Sequence, residues 1–359
     1  MEKNTRNHLF QPLSIKSVTL RNRIGVAPMC MYSSEDGFVN DWHMVHLGSR
    51  AVGGAGLVIM EATAVEPRGR LSPSDTGIWS DAHIEPLKRI TSFIKKQGAV
   101  PAIQLSHGGR KACRSTPWEG QEHLSLEEGG WDTVGPSAIP FGTYRMPHAL
   151  NVDEIKEIIE SFSQAAKRAN EAGFDWLEIH GAHGYLVHEF LSPFSNKRND
   201  EYGGNFENRI RFLLELIEGV KKTWPNDKPL AVRISAVDWA DGGWTIDDSV
   251  ELAKRLKLAG VDLVDCSSGS NVPNEDIPVG AGYQVPFAEQ IRKEAGIMTA
   301  AVGLITEPMQ ADELIRNGRA DIVLLARELL RNPYWPLYAA KVLDMKEQAS
   351  VPKQYRWAH

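Results

Sequence analysis

The chain has 359 residues, 42% of them hydrophobic and 24% charged, with a formal net charge of −6. That length is too great for a minimal domain and suits one large α/β barrel or two medium domains. The mild acidity argues against a nucleic-acid partner, and no segment approaches the ~20 apolar residues of a membrane span. The opening MEKNTRNHLFQPL lacks the apolar core of a secretory signal. Three scattered cysteines, Cys30, Cys113 and Cys266, form no CxxC pair, so neither a disulfide framework nor a Cys-rich metal cluster is expected and a reducing cytoplasm is the expected home.

Residues 1–23 precede the first strand and are expected as a hairpin closing a barrel bottom. Short runs rich in Val, Ile, Leu and Ala follow at 24–29, 56–62 and 100–105, with a helix at 81–97 before the third. Residues 106–150 show no clear periodicity and hold Trp118, Trp131 and Tyr144; a stretch this long is a candidate lid. Asn151 then caps a helix from Val152, with Asp153 and Glu154 in its first turn, an apolar stripe from Ile155 to Ala169, and Gly173 at its end. Further strands are expected at 176–180, 230–235, 261–267, 298–303 and 321–327. Helices are expected at 205–224, from Thr245 to Gly260 and from Thr306-Glu-Pro308 to Gly318. Near-continuous apolar runs indicate strands buried on both faces of a parallel sheet. Eight strands alternating with helices give a single (β/α)8 barrel, since no GxGxxG follows the first strand to support a doubly wound sheet.

Barrel enzymes carry their chemistry where the strands end. Those ends hold Ala27-Pro28-Met29-Cys30 with Tyr32, then Ala64, then Gln104 with His107 and Lys111. His180-Gly-Ala-His183-Gly-Tyr185, Arg233, Ser267-Ser268-Gly269, Gly303 and Ala326-Arg327 follow. Gly303 and Arg327 sit where barrels bind phosphate: a glycine lets backbone N–H groups approach and an arginine adds charged donors. Either alone also suits a turn or a surface ion pair. Gln104 can match an imide-like ring edge. Arg233, inside a strand, needs a partner: a flavin that turns negative on reduction, or a buried acid such as Glu61 or Glu178. Two imidazoles converging from His180 and His183 can polarise a carbonyl or nitro oxygen, and Tyr185 can supply a proton. A metal reading with Glu178 as third ligand has only HxxH spacing behind it. Cys30 reads as a small buried hydrophobe, a nucleophile or a cofactor-tuning thiol.

Several ordered strings, covering Leu13 to Arg327, resemble the Old Yellow Enzyme family of flavin ene-reductases. They are Leu20-Arg-Asn-Arg-Ile24, Ala27-Pro-Met-Cys30, Gln104-Leu-Ser-His-Gly-Gly-Arg110, His180-Gly-Ala-His-Gly-Tyr-Leu186, Phe190-Leu-Ser-Pro193 and Asn199-Asp-Glu-Tyr-Gly-Gly-Asn-Phe-Glu-Asn-Arg209. Cys30 and the paired histidines are similar to the bacterial, thermophilic-like branch. The resemblance implies FMN across the barrel mouth, held by Ala27, Pro28, Met29, Cys30, Ala64, Gln104, Arg233, Gly303, Ala326 and Arg327. It implies NADPH or NADH as electron donor and ping-pong reduction of enones, nitroalkenes or other xenobiotics. His180 and His183 would bind the substrate oxygen. Flavin N5 would give hydride to the β-carbon, and Tyr185 would protonate the α-carbon. Tyr32 would line the pocket and Cys30 would tune the flavin. In that branch a tail residue reaches a neighbouring subunit; Arg356 and Trp357 match, implying a homodimer or homotetramer. No metal is expected. The alternative from another class is a flavin-free, phosphate-binding lyase or aldolase using Lys111 as a Schiff base.

Overall fold

Eight of the apolar runs pair as parallel strands and close on themselves, in a computed structural model that describes residues 8–358. The hairpin is β1 (Leu13–Ile15) and β2 (Val18–Leu20). Next come β3 (Ile24–Val26), α1 (Asp41–Val52), β4 (Leu57–Ala64), α2 (Ile84–Lys96) and β5 (Val100–Ser106). Two short strands, β6 (Val134–Gly135) and β7 (His148–Ala149), lie within the long connection. Then follow α3 (Val152–Glu171), β8 (Trp176–Gly181), α4 (Leu186–Leu191), α5 (Phe206–Lys221), β9 (Leu230–Ser235), α6 (Ile246–Leu258) and β10 (Leu263–Ser267). The chain finishes with α7 (Val285–Ala295), β11 (Met298–Ala301), α8 (Pro308–Arg316), β12 (Ile322–Leu325), α9 (Arg327–Arg331) and α10 (Trp335–Val342). Around the barrel the order is β3, β4, β5, β8, β9, β10, β11, β12, and β12 returns to β3. This is the expected (β/α)8 barrel, and it puts all eight strand ends on one rim.

Period-two alternation divides the strand residues between two cores. In β4, Leu57 and Ile59 point into the barrel while Val58 and Met60 face the helices. Ala102, Trp176, Ala231, Leu263, Ala300, Ile322 and Leu324 join Leu57 and Ile59 inside. Leu13, Ile15, Val18 and Leu20 of the hairpin pack on the same cluster, so the hairpin closes the bottom as expected. The outer core is the larger, with Phe162 and Ala166 of α3 and Phe212 and Leu216 of α5 fully buried in it. The Asn151, Asn205 and Thr245 caps form, each side chain accepting from the backbone N–H three residues on. Each is worth about 1 kcal/mol.

Three strands end earlier than the composition suggested. Residues 27–30 leave the ladder after Val26, where Pro28 has no N–H to donate. Residues 302–303 leave it after Ala301, with Gly303 at φ +117°. Arg327 starts α9 rather than ending a strand. Helix α1 was not legible because Gly48 and two histidines interrupt its stripe. A Cβ at Gly48 would stand 3.0 Å from Phe93 Cε1, a tight contact. The 106–150 stretch is ordered by short 3-10 turns and by β6 pairing with β7. Arg110 fastens it to the Asn271 carbonyl at 2.6 Å, and Trp131 Nε1 donates to the Arg68 carbonyl at 2.9 Å.

Candidate active site

The same alternation that makes the lower barrel apolar carries the polar residues into its upper layers. Continuing inward two residues at a time, Ala102 leads to Gln104, Trp176 to Glu178 and His180, Ala231 to Arg233, and Leu263 to Asp265 and Ser267. Strand register sets them side by side: Gln104 opposite Glu178, His180 opposite Arg233, and Arg233 opposite Asp265. All are buried. Gln104 Nε2 donates to Glu178 Oε1 at 2.8 Å. Arg233 Nε lies 2.9 Å from Asp265 Oδ2, but at an angle that makes no hydrogen bond. Burial and the Asp265 charge push the Glu178 carboxyl upward against the pull of Arg233. The arrangement is one arginine, one carboxylate and one protonated acid, with guanidinium donors left over. The acid beside Arg233 is therefore Asp265, not the Glu61 or Glu178 weighed from sequence. Asp265 had a readable signal: one acidic residue inside a neighbouring apolar run. Glu61 instead accepts from Met31 N at 2.9 Å and lies 3.2 Å from His43.

His180 closes β8, and the turn after it brings three rings together. His180 and His183 have centroids 5.0 Å apart at 89°, and Tyr185 lies 5.0 Å from His180. His180 Nδ1 accepts from the Ala182 N–H at 3.3 Å, which leaves the proton on Nε2. His183 Nε2 is 2.7 Å from Ser267 Oγ. Gln284 Oε1 takes the Ser268 hydroxyl at 2.7 Å and lies 3.4 Å from Ser267 Oγ. Burial pushes both imidazoles well below the usual range, and the Arg233 charge adds to it. Both are therefore neutral N–H donors near pH 7. Burial pushes the Tyr185 phenol up to about 12.

The turn holding these rings is strained and buttressed. His183 has φ +60° and Gly184 φ +69°. A Cβ on Gly184 would sit 2.3 Å from the Ser270 carbonyl. The Gly184 N–H donates to His188 Nδ1 at 2.9 Å, and His188 Nε2 lies 2.9 Å from Asp238. Lys111 donates to the carbonyls of His183 and Ser270 at 2.8 and 2.7 Å. Lys111 is thus engaged as a brace and not presented as a free amine. His107 is likewise occupied, with Glu66 at 2.8 Å and the Gly109 N–H at 3.0 Å.

At the other end of the mouth, Arg233, Tyr283, Gln284, Gly303, Thr306 and Arg327 line a cavity of about 180 Å³. The φ of +117° at Gly303 favours glycine, and a Cβ there would crowd Gln284 Nε2 at 3.0 Å and Tyr283 Cε1 at 3.2 Å. Tyr283 and Gln284 were missed because they lie in a connection without a pattern, and Thr306 because it was read only as a helix start. Ala27, Pro28, Met29, Cys30 and Ala64 lie at the ends of β3 and β4 on the same rim. Burial, with Asp75 and Glu61, pushes the largely buried Cys30 thiol well up, which holds it protonated. Tyr32, at φ +49°, packs edge-on to Trp118 at 5.9 Å. The specific string 199–209 is scaffold: Asn196 Nδ2 donates to Tyr202 O at 2.7 Å, and Asn205 caps α5.

Residues 8–346 match the model of the NADH:flavin oxidoreductase / NADH oxidase family. The chain belongs to this family. An NADPH dehydrogenase of Geobacillus sp. (strain WCH70) is 53% identical over 352 residues, covering 97% of this chain and 98% of that one. Morphinone reductase has the same fold at a TM-score of 0.81 and 28% identity, over 94% of this chain and 90% of that one. The old yellow enzyme homologue of Zymomonas mobilis gives 0.78 at 28%, over 93% of each chain. This NADH:flavin oxidoreductase is thus an Old Yellow Enzyme relative, as its motifs implied, with FMN and NAD(P)H as its cofactors. That removes the flavin-free lyase.

The residues fit such a group: leftover guanidinium donors of Arg233 for its electron-rich edge, and the Gly303 cradle with Arg327 for its phosphate. Glu178, weighed as a third metal ligand, is taken by Gln104. Among the described residues no three His, Cys, Asp or Glu are grouped to hold a metal ion, and no helix is long and apolar enough to cross a membrane. The structure does not bring Arg356 or Trp357 to the cavity around Gly303. They lie in a terminal 3-10 turn, Lys353–Ala358, and Trp357 is 99% exposed.

Proposed function

We propose that this flavin oxidoreductase reduces activated carbon–carbon double bonds, those of enones and nitroalkenes, at a site it also uses for NADPH. FMN would supply the hydride chemistry, with Ala27, Pro28, Met29, Cys30, Ala64, Gln104, Arg233, Gly303, Ala326 and Arg327 holding it. The observation that carries this reading is the cluster of His180, His183 and Tyr185: two neutral imidazole donors and a protonated phenol on one turn. Two N–H donors aimed at one oxygen polarise a conjugated carbonyl or nitro group and stabilise enolate-like charge. Tyr185 stays protonated and can deliver its proton to carbon. Tyr32 walls the pocket, and Cys30, held as a thiol, acts on the flavin's potential and not as a nucleophile.

The decisive experiment is stopped-flow mixing. The yellow holoenzyme is bleached with NADPH, then mixed with a panel of cyclohexenone, a nitroalkene, a quinone and a nitrate ester. Rapid return of colour with the first two supports the proposal; return only with quinone or oxygen refutes it. The double variant His180→Ala/His183→Ala is expected to weaken phenol binding at least tenfold, since phenolates mimic the polarised oxygen. An undiminished long-wavelength charge-transfer band with a phenol would contradict the clamp.

The exposed Trp357 and Arg356 support a second part of the reading: a cytoplasmic homodimer or homotetramer in which the tail closes a neighbour's pocket. Deleting the last six residues is then expected to raise the KM for enones several-fold with little change in FMN content. Unchanged kinetics would remove the tail from the site.

A further inference from the structure

Asp265 takes part in none of the roles above, although it lies beside residues that do. It points inward from β10 between Val264 and Cys266, which face the outer core, and it is fully buried. Its neighbour on β11 is Ala300, which offers no side-chain donor, and its neighbour on β9 is Arg233. Asp265 Oδ2 stands 2.9 Å from Arg233 Nε, yet neither carboxylate oxygen nor that nitrogen has a hydrogen-bond partner. Arg233 also lines the cavity that runs to Gly303 and Arg327. Burial pushes the carboxyls of Asp265 and Glu178 up, and the Asp265 charge pushes Glu178 further. Glu178 has its own donor in Gln104 at 2.8 Å, so the charge facing the guanidinium is that of Asp265. A carboxylate buried without hydrogen bonds adds little to stability, because its desolvation offsets the attraction of its partner. What it does supply is a field: it cancels part of the positive potential that Arg233 presents to the cavity.

We propose that Asp265, acting through Arg233, sets the reduction potential of the bound flavin. The inference rests on FMN lying with its electron-rich edge against Arg233, as proposed above. Accepting a hydride from NADPH brings two electrons and one proton, so the acceptor ends one unit more negative and the nicotinamide one unit more positive. An uncompensated guanidinium at that edge would favour the reduced form and hold the hydride back from the alkene. The Asp265 charge, 2.9 Å behind the guanidinium, weakens that preference and keeps the hydride transferable. The other members of this layer do not replace it. Gln104 is an amide, Glu178 holds its proton, and burial keeps His180 neutral. Asp265 is sealed from the cavity and acts only through its neighbour, which makes it a positioning residue and not a catalytic one.

The test is the midpoint potential of the flavin in the holoenzyme, read by equilibration with a reference dye in the wild type and in Asp265→Asn, with Asp265→Ala as a second variant should Asn perturb folding. Loss of the charge is expected to raise the ratio of reduced to oxidised flavin at a fixed potential about tenfold, equal to about 30 mV for a two-electron couple. The half-reactions are expected to move in opposite directions, with faster bleaching by NADPH and slower return of colour with cyclohexenone. Asp265→Glu keeps the charge and is expected to restore most of the wild-type potential. Glu178→Gln mimics the protonated acid and is expected to leave the potential in place. An unmoved or lowered potential in Asp265→Asn overturns the proposal. So does an unmoved potential with weaker binding of oxidised FMN, which would make Asp265 a structural support for Arg233. Arg233→Lys, measured alongside, separates the two readings. If it shifts the potential and Asp265→Asn does not, the flavin edge stays at Arg233 and only the role of Asp265 falls; if neither shifts it, both fall.

Discussion

Replacing Tyr185 with Phe is expected to slow reoxidation by cyclohexenone by about 10²- to 10⁴-fold while bleaching by NADPH proceeds at the wild-type rate. Hydride transfer from nicotinamide needs no proton from the protein, whereas saturating an enone needs one at carbon. The phenol is pushed up to about 12, so it remains protonated across the working pH range. Phenylalanine preserves the ring that packs 5.0 Å from His180, so the fold should be little disturbed. Stopped-flow traces of the two half-reactions separate these effects. Equal slowing of both would remove Tyr185 from proton donation and leave it a packing residue.

Arg233→Met is expected to be the most damaging single change for stability and cofactor retention together. Arg233 is the cation that Asp265 faces at 2.9 Å, and Glu178 lies in the same buried group. Breaking such a pair from one side strands the other charge and costs about 3–5 kcal/mol. The same change removes donors that reach toward the cavity running to Gly303 and Arg327, so the protein should purify largely colourless. Adding Asp265→Asn should recover most of the thermal stability without recovering FMN, because the stranded charge disappears but the donors do not return. Melting curves and flavin content of the single and double variants test both halves. A yellow Arg233→Met protein with an unchanged Tm would refute the assignment.

The residues that proved most informative illustrate how far a linear chain can be read. His180, His183 and Tyr185 are close in sequence on one turn, so their convergence was legible from spacing. Gln104 and Arg233 lie in the C-terminal halves of their strands, Gly303 and Arg327 follow theirs, and parallel strands share one rim; their grouping followed from counting strands. Asp265 was visible as an acid inside an apolar run, but its partner was not. Asp265 belongs with Arg233 only because β9 and β10 lie side by side in a register that pairs these two positions.

The amino-acid sequence by itself determined the barrel, because apolar runs of strand length separated by capped amphipathic helices have few other ways to bury both faces. It also determined the chemical kind of the site and the family. Only the tertiary structure decided which acid faces Arg233, that Lys111 braces a turn, and that Ser267 meets His183. Those are contacts between residues 32 to 159 positions apart in the chain. Charge pairing and proton placement depend on distances of a few ångströms, which closure of the barrel fixes and sequence proximity does not.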